Sequence, residues 1–115
     1  MKMIMAVVQP HKVEQVKWAL SGAGVLGLTV LDCQGYGRQK GHTEVYRGHE
    51  YTVNLLRKAL VLVAVNDENV ETAVQTIVQS GRTGESGAIG DGKVFVVSLE
   101  EVIRIRTGQR GVEAL

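Results

Sequence analysis

Cysteine is almost missing from this chain of 115 residues: Cys33 stands alone, which excludes an internal disulfide and any metal centre built from several thiolates. Its apolar neighbours Val30 and Leu31 predict a buried structural thiol ahead of a reactive one. Proline occurs once, at Pro10, and the aromatic residues are one tryptophan, one phenylalanine and three tyrosines. So few rings make no stacking platform, and a net charge of +1 gives no general attraction to a polyanionic backbone, so nucleic acid is not an expected partner. No apolar run approaches the ~20 residues needed to cross a bilayer. The run that opens the chain is broken at Gln9-Pro10, too early for a signal peptide, and the expected location is the cytoplasm. There is no Ser-His-Asp set, no clear pair of catalytic carboxylates and no H-E-x-x-H, so the polar groups look chosen to hold a ligand and not to break one.

What is present suits one domain spanning residues 1–115, with a hydrophobic share of 44% against 22% charged. Lys2 to Val8 is a nearly continuous apolar run, as in a strand covered on both faces or on one face plus a subunit interface. Pro10 then opens a helix in which Val13, Val16, Leu20 and Ala23 share a face, and Gly22 and Gly24 end it. Trp18 falls off that stripe and is expected to be partly exposed or packed on another chain. Leu28 to Gln34 and Ala59 to Val65 read as the second and third strands. Asn66 or Asp67 caps a second helix carrying Val70, Ala73, Val74, Ile77 and Val78 on one face, and Gly81 stops it. Val94 to Val97 is a fourth strand, Val102 to Arg106 a short extra strand or extended segment, and the tail from Gly108 is expected to be mobile. The order strand, helix, strand, strand, helix, strand is the α+β, ferredoxin-like βαββαβ arrangement, with helices on one face of an antiparallel sheet.

Three stretches stand apart from this framework. Gly35 to Leu55 mixes glycines, tyrosines and charges with neither a period of 2 nor one of 3.6, and reads as a long loop suited to recognition. Gly81 to Lys93 holds five glycines, and Gly87 to Lys93 satisfies the G-x-x-x-x-G-K half of a phosphate-binding loop. Val94 stands where a hydroxyl should follow, and a strand stands where a helix should begin, which disfavours an ordinary P-loop NTPase and leaves a phosphate cradle and a flexible loop as alternatives. Arg104 and Arg106, two apart, leave the same face of an extended segment and together can clamp a polyphosphate; alone they would equally suit a solvated edge strand. Arg38, Lys40, Lys58, Arg82 and Lys93 tip that balance toward a polyanion site, since several lie in or beside glycine loops. His42, His49, Glu44 and Glu50 are metal-capable residues for which solvation is the preferred reading.

Over essentially its whole length the chain resembles the PII nitrogen-regulatory signal-transduction family. The resemblance is carried by Gly-Tyr-Gly-Arg-Gln-Lys-Gly-His-Thr-Glu from Gly35, Tyr-Arg-Gly-His-Glu-Tyr from Tyr46, Arg-Thr-Gly from Arg82, Ile-Gly-Asp-Gly-Lys from Ile89 and Glu-Glu-Val-Ile-Arg-Ile-Arg-Thr-Gly from Glu100. It implies a homotrimer with ATP or ADP in each cleft between subunits, a T-loop at about 37–55, a B-loop at about 82–93 and a C-terminal segment at about 100–115. By the same resemblance Gly35, Gly37 and Arg38 lie near the phosphates, Gly90, Asp91, Gly92 and Lys93 form the cradle, Thr29 and Ala64 line the adenine end, and Arg104 and Arg106 reach the phosphates. Gln39 would hold Mg bridging ATP and 2-oxoglutarate, with Lys40 and Gly41 beside it, and Lys58 would pair with a carboxylate of the 2-oxoacid.

The resemblance further implies a partner, an ammonium transporter or a metabolic enzyme, met through Tyr46, Arg47 and Gly48, so that the protein would be cytoplasmic or peripheral to a membrane through that transporter. Tyr51 matches a tyrosine that some members offer to a nucleotidylyltransferase. Four features depart from the pattern: Glu85-Ser86-Gly87-Ala88 stands where a single residue is expected, which extends the B-loop, His49 replaces a small residue, Leu62 a glutamate and Ala64 a valine. The leading expectation is a regulator without enzymatic activity. A divergent regulator of carbon or metal-linked metabolism preferring ADP or AMP with another small anion, and a nucleotide-hydrolysing enzyme, are the alternatives.

Overall fold

The computed structural model describes residues 1–37, 43–46, 49–52 and 55–115, with 43–46 and 49–52 described by their backbone alone. The elements run β1 (Lys2–Val8), α1 (Val13–Gly22), β2 (Thr29–Gly35), β3 (Thr43–Tyr46), β4 (His49–Thr52), β5 (Leu56–Val65), α2 (Val70–Gly81) and β6 (Lys93–Ser98). Short 3-10 turns at Pro10–Lys12 and Asp67–Asn69 lead into the two helices, and the Asn66 side chain accepts from the Asp67 N–H at the second of them. Four strands form one antiparallel sheet in the order β2-β5-β1-β6. This is the expected ferredoxin-like architecture; the helices end at Gly22 and Gly81 as the glycines predict, while Pro10 and Asn66 open the 3-10 turns, so that the α-helices proper begin at Val13 and Val70.

Alternation along the central strands decides which face the helices cover. Ile4, Ala6 and Val8 of β1 and Ala59, Val61, Val63 and Val65 of β5 are buried, and they meet Val16 and Leu20 of α1 and Ala73 and Ile77 of α2 in one core. The opposite face carries the intervening residues. The register sets Met3 between Ala64 and Val97, Met5 between Leu62 and Phe95, and Val7 between Leu60 and Lys93. Leu31, Phe95 and Val97 on this uncovered face are each more than 40% exposed, a contiguous apolar surface that a lone soluble chain seldom shows to water.

Several expectations need correction. The stretch between Gly35 and Leu55 contains a hairpin, β3 paired antiparallel with β4 in the register Val45↔Glu50. Strands of four residues are too short for a period to be read from sequence. Strand β5 begins at Leu56, before Ala59, because pairing with β2 continues through Gln34↔Arg57 and Gly35↔Leu56 regardless of side-chain polarity. Cys33 is half-buried, on the same face as Lys58 and directly across from it. Val102 to Arg106 is no strand of the sheet. An Ile103↔Arg110 bridge folds the segment back on itself, with the Arg104 N–H donating to the Gln109 carbonyl and the Gly108 N–H to that of Arg104. The tail from Gly108 is held by these bonds and by a 3-10 turn at Gly111–Ala114. Trp18 is 70% exposed, with the Lys17 ammonium 5.6 Å from its ring centroid, which bears out partial exposure.

Candidate functional site: a cleft at the glycine-rich loop

Where β2 ends and β5 begins, the sheet meets the loop joining α2 to β6, and between them lies a cleft of about 1330 Å³. Its walls come from Cys33 to Gly37 at and just beyond the end of β2, from Lys58 and Leu60 of β5, from Arg82 and Ser86 to Gly92 of the glycine-rich loop, and from Lys93 and Phe95 of β6. The cleft is large and open enough to admit a small molecule, and Lys58, Arg82 and Lys93 among its lining residues give it cationic character.

Lys58 is the most confined of these cations. Only 8% exposed, it projects from the uncovered face of β5 beneath the glycine-rich loop, and its Nζ donates to the Gly90 carbonyl at 2.7 Å and to Gln9 Oε1 at 3.1 Å. Burial pushes its pKa below that of an exposed lysine, against the opposing pull of the Asp91 carboxylate and of Cys33. One ammonium thus joins β5, the β1–α1 junction and the loop.

The loop is shaped by Asp91. Its Oδ2 accepts from the backbone N–H of Thr83 at 3.0 Å and of Ala88 at 2.8 Å, and its Oδ1 accepts from the Thr83 hydroxyl at 2.6 Å. These bonds, the Thr83 hydroxyl first, hold the Asp91 carboxyl below the usual range. A depressed carboxyl pKa means that the anchoring is complete above the ordinary carboxylate range and is lost as pH falls through the lowered value. The amide resonances of Thr83 and Ala88 are therefore expected to stay constant from neutral pH down past the ordinary Asp range and to move together only below it. Movement at the ordinary pKa would show that the anchor carries no strength.

Two glycines are required by this geometry. At Gly92, with φ 104°, a Cβ would lie 1.7 Å from the Val7 carbonyl oxygen, since the next residue, Lys93, pairs with Val7 across β1 and β6. At Gly87, with φ 76°, a Cβ would meet Asp91 Oδ2 at 3.2 Å and Arg82 Cγ at 3.3 Å. Gly87 and Ala88 of the stretch Glu85-Ser86-Gly87-Ala88 are thus folded into the Asp91-centred turn.

Of the residues expected in the nucleotide set, Gly35, Gly37, Gly90, Asp91, Gly92 and Lys93 come together at the cleft, with Lys58 from the 2-oxoacid set. Asp91 faces its own loop through both carboxylate oxygens. Thr29 and Ala64 do not line the cleft; they sit on the uncovered sheet face, Thr29 across from Leu62 and Ala64 from Met3. Arg104 and Arg106 do not line it either. Because the C-terminal segment folds back, they do not share one face of an extended strand: Arg104 is engaged with Gln109, and Arg106 lies in the turn. Arg38, Gln39, Lys40, Gly41, Arg47 and Gly48 lie outside the described residues, as do the side chains of Tyr46, His49 and Tyr51. Among the described residues no group of three or more His, Cys, Asp or Glu is placed to hold a metal. Sequence reading missed Gln9 and Thr83, whose roles depend on partners 49 and 8 residues away.

Comparison with known proteins gives a consistent result. A family model described as "Nitrogen regulatory protein P-II" matches residues 1–109. A protein of Rhizobium etli named "Nitrogen regulatory protein P-II" is 50% identical over 115 residues, covering 100% of both chains. One of Nostoc punctiforme with the same name is also 50% identical with full coverage of both. "Nitrogen regulatory protein P-II 2" of Methanothermobacter thermautotrophicus is 50% identical across 100% of this chain and 97% of its own length.

Proposed function

Because the chain belongs to the P-II family of nitrogen regulatory proteins, we propose that it binds ATP or ADP, with Mg and 2-oxoglutarate, in clefts between subunits of a homotrimer and reports their occupancy to a partner through the T-loop. The observation that carries this reading is the cleft itself. Lys58, Arg82 and Lys93 surround a glycine-rich loop pre-shaped by Asp91, an arrangement that suits an anion of several charges. The trimer is supported by the apolar face of the sheet, which also carries Thr29 and Ala64. A neighbouring chain on that face would bury Met3, Met5, Leu62 and Phe95 and bring the adenine-end residues to a shared boundary.

Within this reading Gln39 holds Mg, Lys40, Gly41 and Lys58 attend the 2-oxoacid, and Arg104 and Arg106 approach the phosphates. An ammonium transporter or a metabolic enzyme is the partner, engaged at Tyr46, Arg47 and Gly48, with Tyr51 open to a nucleotidylyltransferase. No helix among the described residues is long and apolar enough to cross a membrane, so any membrane association would run through that partner. The family is one of regulatory proteins, and nucleotide hydrolysis, the other class suggested by the glycine-lysine loop, is set aside.

Calorimetry tests the ligand scheme: 2-oxoglutarate is expected to give binding heat only when Mg-ATP is present. Equal heat with ADP, or with no nucleotide, would reject it. The lengthened B-loop, bound into the Asp91 turn, favours one second reading, a preference for ADP or AMP with another small anion. The same titrations, run with AMP and bicarbonate, distinguish the two. Light scattering should return three times the 12.5 kDa chain mass, and a monomer would remove the shared cleft.

A further inference from the structure

The Lys58 ammonium is reached from the end of β1 as well as from the glycine-rich loop. The antiparallel register of β1 on β5 runs to Val8↔Ala59, and one step further sets Gln9 across from Lys58, on the side opposite Cys33 of β2. Residues directly opposite in such a pair leave the same face of the sheet, so the two side chains can meet. Pro10 fixes the approach, because a residue before proline is confined to extended backbone, and Gln9 has φ −64° and ψ 138°. Gln9 stands at the head of the 3-10 turn, yet its side chain makes no capping bond there. Its Oε1 instead accepts from Lys58 Nζ at 3.1 Å.

Gln9 and Gly90 hold this ammonium from different places. Gly90, whose carbonyl accepts from Nζ at 2.7 Å, lines the cleft, as Lys58 itself does. Gln9 does not line it, so its bond restrains the ammonium from outside the space a ligand would enter. A carboxamide oxygen directs an ammonium without adding a charge of its own, whereas a carboxylate of nearly the same shape would form an ion pair with it. A lysine carries large rotamer freedom, and a side chain fixed beforehand leaves less ordering to be done when an anion binds.

We propose that Gln9 is a positioning residue that holds the Lys58 ammonium in place for a carboxylate of the 2-oxoacid. The inference rests on the reading of Lys58 as the cation that meets this ligand, and adds the group that prepares it. Among the described residues the ionisable groups acting on Lys58 are Asp91 of the loop and Cys33 of β2, and both stay unchanged in the Gln9 variants.

The test titrates 2-oxoglutarate into the full chain with Mg-ATP present. In parallel, the Lys58 Cε resonance of the ligand-free chain, assigned by its loss in Lys58→Met, is followed from neutral to alkaline pH. Gln9→Glu should weaken 2-oxoglutarate by about tenfold at neutral pH, since the new carboxylate competes for the ammonium, and should raise the pH at which Lys58 titrates. Gln9→Met keeps the length but removes the acceptor. It should weaken the ligand by about threefold to tenfold and lower that pH, because the charged form loses a hydrogen bond. Titration shifts of opposite sign support the inference. A merely structural role would lower thermal stability in both variants and leave the Lys58 titration as in the wild type, and that result overturns it. Wild-type affinity in either Gln9 variant also overturns it, while weakened binding in Lys58→Met keeps the underlying reading intact. Wild-type affinity in Lys58→Met overturns that reading, and the inference with it.

Discussion

A chain carrying Gly92→Ala is expected to lose at least about 3 kcal/mol of stability and all measurable affinity for ATP, the loss combining a left-handed backbone with a direct collision. The added methyl would sit 1.7 Å from the Val7 oxygen and 2.7 Å from its carbonyl carbon. Neither atom can retreat, because Val7 is in the central strand and paired on both sides, with Leu60 and with Lys93. The strand β6 must then detach at its start or the loop must swing outward, and either displacement carries Gly90 and Lys93 out of position. A melting temperature lowered by roughly 10 °C at fixed protein concentration is the readout for stability. Gly84→Ala is the control. Gly84 also has positive φ, at 62°, but a Cβ there meets nothing within 4 Å, so only the backbone preference of about 1 kcal/mol is lost. Equal losses in the two variants would show that the collision is relieved at no cost.

Lys58→Met should strongly weaken 2-oxoglutarate binding while leaving the core intact. The variant keeps the apolar stem against Gly35, whose Cβ position lies 3.5 Å from Lys58 Cγ, and loses the ammonium that ties Gly90 to Gln9. Removing one member of a confined charge pair costs about 2–5 kcal/mol, so binding should weaken by roughly 30-fold to several thousandfold. ATP affinity should fall by less, since Arg82 and Lys93 remain at the cleft. The wild-type protein should show a matching pH effect. With its pKa lowered by burial, Lys58 leaves the folded chain with fewer protons than the unfolded chain between the two values, so stability rises with pH across that alkaline window. A dicarboxylate restores the charge, so its binding takes up a proton and weakens as pH climbs through the same window. Calorimetry in buffers of different ionisation enthalpy measures that proton, and a Lys58→Met chain that binds 2-oxoglutarate as tightly as the wild type would refute the assignment.

The sheet, both helices and the glycine-rich loop were legible because each is written locally, as a run of Val, Ile and Leu, a 3.6-residue stripe or a cluster of glycines. Lys58 was legible as a cation but not as a buried one. Its confinement depends on Gly90, 32 residues away, and on β5 extending past its apolar stretch to satisfy β2. The single extended face predicted for Arg104 and Arg106 was wrong for the converse reason. Alternating Val-Ile-Arg-Ile-Arg looks extended, yet short-range bonds from Arg104 to Gln109 and from Gly108 to Arg104 turn the chain back before a second strand can form. Asp91 was picked for its motif; that its carboxylate faces Thr83 and Ala88 is a fact of three dimensions.

The placement of Trp18 has a practical corollary for spectroscopy. The chain's one indole stands in water on the outer surface of α1 and lines no part of the cleft, so its emission will be quenched by external iodide and will stay silent when a ligand enters. A Trp18→Phe background with Tyr36→Trp would move the fluorophore from the outer surface of α1 to the wall of the cleft.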